Sequence, residues 1–247
     1  MTSKVRQAIL PISRFKRYFT PSHNSIICTK TLKTYIEAET EVSNVHLTPE
    51  ISLHLVTPNT PTWYSDGKDS KLFEPFYAFY WPGGQGLSRF ILDNSDLIKN
   101  KNVLDIGSGC GASSIASIMS KASFVTANDI NREAMVILDM NCKLNFIDSD
   151  AIKKVTSNLI NAHTEYFPYD IVLIGDMFYD ESIAKELIGW MDKLSKEGKE
   201  IYLGDPQRND ILSSLDGRLS IKATYNLPEN VRKENNGLMT TKVWKFE

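Results

Sequence analysis

The residues best suited to chemistry sit in one short segment, Asp105-Ile-Gly107-Ser108-Gly109-Cys-Gly111-Ala112, with Asp129 twenty residues beyond Gly109. Glycines at this spacing let the chain reverse sharply and leave its N–H groups open to a ligand, with no Cβ in the way. A carboxylate placed as Asp129 is can accept both hydroxyls of a ribose. Together they point to an adenosine-containing cofactor. Gly107, Gly109 and Ala112 also satisfy the dinucleotide spacing G-x-G-x-x-A, so a dehydrogenase is one reading. Charge argues against it, because Asp105, at the end of the preceding apolar run, would repel a pyrophosphate and attract a cation. S-adenosylmethionine carries an ammonium and a sulfonium and no phosphate, and it matches that charge. The alternative role for Asp105 is a simple cap on the following turn.

A second group lies downstream. Gly175-Asp176-Met-Phe178-Tyr179-Asp180 and Gly204-Asp205-Pro-Gln-Arg208 each follow an apolar run, and residues 73–81 pack six aromatics into nine positions. Asp180 suits the N-cap of a following helix, and most of the aromatics suit a core. Trp81 is followed by Pro82, Gly83 and Gly84, which predicts a rigid, open turn. A lysine acceptor would make sense of these groups. Its reference pKa is about 10.4, and only the neutral amine attacks. A site must therefore hold the amine in line and help it lose a proton. Aromatic faces attract an alkylammonium, and a carboxylate orients it. Asp176 is expected to orient the amine and to accept its proton directly or through water.

These groups need a scaffold that brings strand ends together. From Asn102 onward, short apolar runs alternate with helical ones. Strands are predicted at 103–106, 124–129, 154–156, 171–174 and 201–203, with helices at 112–120, 132–145 and 181–194. Repeated βα units predict an α/β fold with a parallel sheet covered on both faces. Residues 219–225 and 241–246 read as two further strands joined by a loop, an antiparallel pair ending the sheet. Upstream, residues 51–56 alternate as a half-buried strand, and 65–70 read as a loop.

Composition is that of a globular chain: 247 residues, 42% hydrophobic and 23% charged. No apolar run approaches the roughly 18 residues of a membrane span. Three scattered cysteines and four scattered histidines favour neither a disulfide scaffold nor a metal site. Residues 1–36 hold seven cations and no acid, leaving 21 bases against 30 acids, a charge of −9, in residues 37–247. That basic, amphipathic head predicts a disordered mitochondrial presequence and hence the matrix, with cleavage between about residues 19 and 35. The body, 37–247, is expected to be a single domain with an N-terminal extension over 37–100. It is taken as a monomer and lacks the basic patch that nucleic acid requires.

The segments Tyr80-Trp-Pro-Gly-Gly-Gln85, Val103–Ala112, Ala127-Asn-Asp-Ile130, Gly175–Asp180 and Gly204-Asp-Pro206, with the tail Glu234-Asn235 to Val243-Trp244, resemble the seven-β-strand protein lysine methyltransferases. Within them the chain is most similar to the subgroup that modifies the electron transfer flavoprotein β subunit in mitochondria. The resemblance spans residues 49–246. It implies a Rossmann-like seven-stranded sheet, S-adenosylmethionine as cofactor, and trimethylation of flavoprotein lysines that modulates electron transfer from acyl-CoA dehydrogenases. With the residue reading, it gives Trp81, Asp105, Gly107, Ser108, Gly109, Gly111, Asp129, Ile130 and Asp176 as expected cofactor contacts. Asp176, Phe178 and Tyr179 are the expected catalytic residues. Other readings of the same loop are a methyltransferase of another protein or a small molecule, and a cofactor-binding assembly factor.

Overall fold

The computed structural model describes residues 28–65, 70–72, 74–163 and 167–247. Phe73, part of the loop at 65–70 and most of the basic head lie outside the described residues. In chain order the elements are α1 (Thr29–Glu39), β1 (Glu41–Ser43), β2 (Leu53–Leu55), α2 (Pro61–Tyr64), α3 (Pro82–Asp93), α4 (Ser95–Ile98), β3 (Asn102–Ile106), α5 (Ala112–Met119), β4 (Phe124–Asn128), α6 (Arg132–Leu144) and β5 (Ile152–Val155). They continue with β6 (Ile171–Gly175), α7 (Glu181–Lys196), β7 (Glu200–Asp205), β8 (Leu219–Asn226), α8 (Glu229–Glu234) and β9 (Thr240–Phe246).

β3 to β9 form one sheet of seven strands in the order β5-β4-β3-β6-β7-β9-β8. The first five are parallel, and β9 runs antiparallel between β7 and β8. The sheet is α/β and mostly parallel with a terminal antiparallel pair, as the alternation predicted. Successive residues of a strand face opposite sides, and the core divides accordingly. Val103, Val125, Leu173, Tyr202 and Val243 pack with α3, α5 and α6 on one side. Leu104, Val172, Ile174, Leu203 and Trp244 pack beneath Leu187, Trp190 and Leu194 of α7 on the other. Asp180 caps α7, its Oδ1 accepting from the N–H groups of Ser182 and Ile183.

Four local expectations change. The open turn after Trp81 is the first turn of α3, with Pro82 at the initial position that suits its fixed φ. The glycines there serve contact with the sheet: a Cβ on Gly83 would stand 2.3 Å from the Gly204 oxygen. The loop between β8 and β9 contains the short helix α8. And the boundary placed at residue 36 cuts α1, in which Leu32 and Ile36 are buried against α6 and the aromatic segment. Helix α1 thus lies largely inside the stretch expected to be disordered. The reason is visible in the pattern Leu32-Tyr35-Ile36, one apolar helical face that the leader reading absorbed. β2 is shorter than expected and, among the described residues, pairs only with β1, outside the main sheet.

A chain starting at residue 37 loses the burial of Ile36, and Ile36→Ala opens the same contact. Each is expected to cost about 2–5 kcal/mol relative to a chain starting at residue 28. Urea unfolding checks this; equal midpoints would mean that α1 is not part of the body.

Candidate functional site

β3 delivers the chain to the glycine loop, and Gly107 (φ +66°) turns it. A Cβ there would meet the Met177 sulfur at 2.4 Å, so this position needs both the conformation and the space of glycine. The loop is tied to its neighbour, with Ser108 N–H donating to the Asn128 carbonyl at 3.0 Å. Asp129 follows β4 and accepts from Gly109 N–H at 3.0 Å and Asn131 N–H at 2.9 Å. Each carboxylate oxygen keeps a lone pair, and both are fixed in direction. The Ser108 hydroxyl is buried with no hydrogen-bond partner among the described residues.

Asp105 is 3% exposed, and Ser114 Oγ donates to its Oδ2 at 2.7 Å. Burial pushes its pKa up to about 7, with the Asp129 charge acting in the same direction and the Ser114 hydrogen bonds opposing it. It is therefore tied to the first turn of α5, as a cap would be, and it also lacks a cation among the described residues.

One strand further along, Asp176 sits just past β6 in the left-handed region (φ +54°), a conformation uncommon for a non-glycine residue. Its N–H donates to the Gly204 carbonyl at 2.8 Å. Its Oδ2 accepts from Gly83 N–H at 2.7 Å, and Arg208 Nε donates to Oδ1 at 3.2 Å. The Arg208 guanidinium also lies 5.4 Å from the Trp81 ring centre and donates to Asn235 Oδ1 at 3.3 Å. Trp81 is itself held, by its Nε1–H to the Phe76 carbonyl and by Phe79. Asp205, at the end of β7, is buried, and its pKa is raised by burial and then by the Asp176 charge.

Most of the expected residues converge on the carboxyl edge of the sheet. Asp105, Gly107, Ser108, Gly109, Gly111 and Asp129 form one rim; Trp81 and Asp176 form the next. Ile130, 71% exposed, follows Asp129 directly. Tyr179 is partly exposed, and the charges of Asp129, Asp180 and Asp176 contribute to raising its pKa after burial. Phe178 does not belong with them. It is 2% exposed in the core beneath α7, and its carbonyl accepts from Asn209, so the catalytic expectation for it is corrected to a packing role. Asp176 has both oxygens engaged by Gly83 and Arg208, which suits holding a cation better than collecting a proton. Arg208, which pairs with Asp176, and Asn235, which accepts from Arg208, were missed, although the Asp205-Pro-Gln-Arg208 segment at a strand end was a usable signal.

A parallel sheet with an antiparallel β9 between β7 and β8, a glycine loop after β3 and acids at the neighbouring strand ends defines a methyltransferase of the seven-stranded class. The lysine methyltransferase family matches residues 78–214. An electron transfer flavoprotein β subunit lysine methyltransferase of Rattus norvegicus is 43% identical over 218 residues, 87% of this chain and 84% of that one. The protein of that name in Xenopus laevis is 37% identical over 98% of this chain and 97% of its own. A Caenorhabditis elegans homolog is 38% identical over 84% and 93%. The chain belongs to the lysine methyltransferase family and is a protein-lysine N-methyltransferase.

A carboxyl group whose folded-state pKa is raised binds protons that the unfolded chain has already released. Stability is then greatest below the unfolded value, about 3.9, and falls as pH rises towards the folded one. For Asp105 that window runs from about 4 to about 7. Asp105→Asn keeps an acceptor for Ser114 and removes the charge. It is expected to stabilise the ligand-free protein at pH 8 by about 1–3 kcal/mol and to flatten the decline between about pH 4 and 7. A variant less stable than its parent at pH 8 would contradict this.

Proposed function

We propose that the protein uses S-adenosylmethionine to methylate lysines of the electron transfer flavoprotein β subunit in the mitochondrial matrix. The observation carrying this reading is a cation already seated at the strand ends. Arg208 lies between the Trp81 face, the Asp176 carboxylate and the Asn235 amide oxygen, which are the three partners an alkylammonium needs. The names of the relatives supply the flavoprotein, and the composition of residues 1–36 supplies the compartment.

The residues present fit the cofactor. Asp105 answers an ammonium, Asp129 answers ribose hydroxyls, and the unpartnered Ser108 hydroxyl and the loop N–H groups answer further polar atoms. Ile130 offers an apolar surface next to Asp129. When bound, S-adenosylmethionine supplies a methyl group on a positively charged sulfur. The chain supplies the rest. Asp176, fixed by Gly83 N–H at the head of α3, orients the acceptor nitrogen, and Trp81 and Tyr179 wall the position from water. Loss of the amine proton needs an acceptor that titrates near neutrality. Asp205 adjoins Asp176, and its raised pKa suits it to that part better than Asp176 itself, whose oxygens are occupied.

Incubation with labelled S-adenosylmethionine and purified flavoprotein β subunit, followed by mass spectrometry, is expected to find methylated lysine. No label despite measured cofactor binding would remove the substrate. Asp176→Asn is expected to lower kcat about 100-fold or more, with cofactor Kd within threefold; wild-type turnover would remove its role. Residues 1–36 fused to a fluorescent protein are expected to direct it to mitochondria, and diffuse signal would end that part.

A further inference from the structure

Beside Trp81, on the side of the N-terminal extension, lies a cavity of about 40 Å³ between the β1–β2 hairpin, the aromatic segment and α8. Trp63, Phe79, Tyr80 and Trp81 give it aromatic walls, and Glu234 of α8 gives it a carboxylate. No lysine or arginine lies within ion-pair distance of Glu234 among the described residues. Burial, then the nearby Glu41 charge, raises its pKa to about 7, and a hydrogen bond from Asn230 offsets this in part. A separate feature also points to a ligand. His46 lines the same cavity at 6% exposure, and its Nε2 has no partner. Its Nδ1 accepts from Thr48 N–H at 3.3 Å, so the ring proton sits on Nε2, and the Ser43 backbone opposes the lowering of its pKa by burial.

Aromatic faces, an unpaired carboxylate and no cation select an alkylammonium over an anion or an apolar group. One water needs about 10–15 Å³ of such space, so the cavity suits an ammonium and its last methylenes. The cavity walls include neither Asp176 nor any residue of the glycine loop. A group held there is therefore not at the methyl-transfer point, although Trp81 is common to both places. We propose that this cavity binds the side chain of a second lysine of the protein substrate, flanking the lysine that is methylated, with Glu234 as its counter-ion. The proposal rests on the protein-substrate reading above and extends it. It makes Glu234 a specificity residue: the enzyme selects acceptor segments with two lysines, one placed at Asp176 and one at Glu234.

Two measurements test it. With saturating S-adenosylhomocysteine filling the cofactor site, n-butylammonium chloride is expected to raise the Tm of the wild-type protein saturably above a sodium chloride control. Glu234→Gln, which keeps shape and removes charge, is expected to lose that shift. No saturable shift in the wild type, or an equal shift in the variant, overturns the proposal. In turnover with the flavoprotein β subunit, Glu234→Gln is expected to raise KM about tenfold while kcat changes less than threefold. Exchanging one flanking substrate lysine for glutamine should raise KM similarly in the wild type and add little in Glu234→Gln. A KM unmoved by Glu234→Gln also overturns it. Absence of turnover in the wild type would instead strike at the flavoprotein reading, and the n-butylammonium experiment would still decide the cavity.

Discussion

Four carboxylates stand at the ends of four adjacent strands, and that concentration of negative charge governs what this edge of the molecule can do. Asp105 ends β3 within one residue, Asp129 follows β4, Asp176 follows β6 and Asp205 closes β7. Among the described residues Arg208 is the cation paired with them. Burying a carboxylate without a counter-ion is costly, and the group answers by holding a proton. A phosphate-bearing ligand would add to the repulsion. A ligand or acceptor that brings positive charge relieves it. The chemistry of the edge is thus set by a deficit of positive charge, which a sulfonium nucleoside and a lysine amine both make good.

The fold supplies the precision. Parallel pairing of β4, β3, β6 and β7 in register brings their ends to one line. The head of α3 is pressed onto that line so closely that Gly83 and Gly204 must both lack a side chain. That approach lets Gly83 N–H hold Asp176 and sets Trp81, immediately before α3, beside Arg208. The left-handed backbone of Asp176 is the local cost, offset by hydrogen bonds from its own N–H and to its carboxylate. α1 and the β1–β2 hairpin complete the wall behind the aromatic segment, so the N-terminal extension shapes the acceptor side as well as the core.

Much of this is written in local patterns. The strands 103–106 and 171–174 and the helix after Asp180 are legible because continuous apolar runs, helical periodicity and a cap coincide there. The glycine loop and Asp129 are legible because their spacing has a mechanical reason. What escaped depends on distant partners. Pro82-Gly83-Gly84 has the composition of a turn, and only contact with Gly204 and Gly175 explains why a helix start carries two glycines. Phe178 stands among site residues in sequence, but in the turn between β6 and α7 its ring packs into the core beneath α7, and its neighbour Tyr179 takes the exposed position. Arg208 pairs with a carboxylate 32 residues away, which no local pattern announces. α1 was hidden by its charge, since an acid-free basic stretch looks like a leader whether or not its last turns fold.

If the edge accepts its cofactor through ionised Asp105, binding must expel a proton at any pH below the ligand-free value of about 7. Titration calorimetry with S-adenosylmethionine at pH 6, in two buffers of different ionisation enthalpy, measures this directly. Net proton release is expected in the wild type and a much smaller release in Asp105→Asn. Identical heats in both buffers for the wild type would mean that no carboxyl group ionises on binding, and pairing of the ligand's positive charge with Asp105 would be wrong.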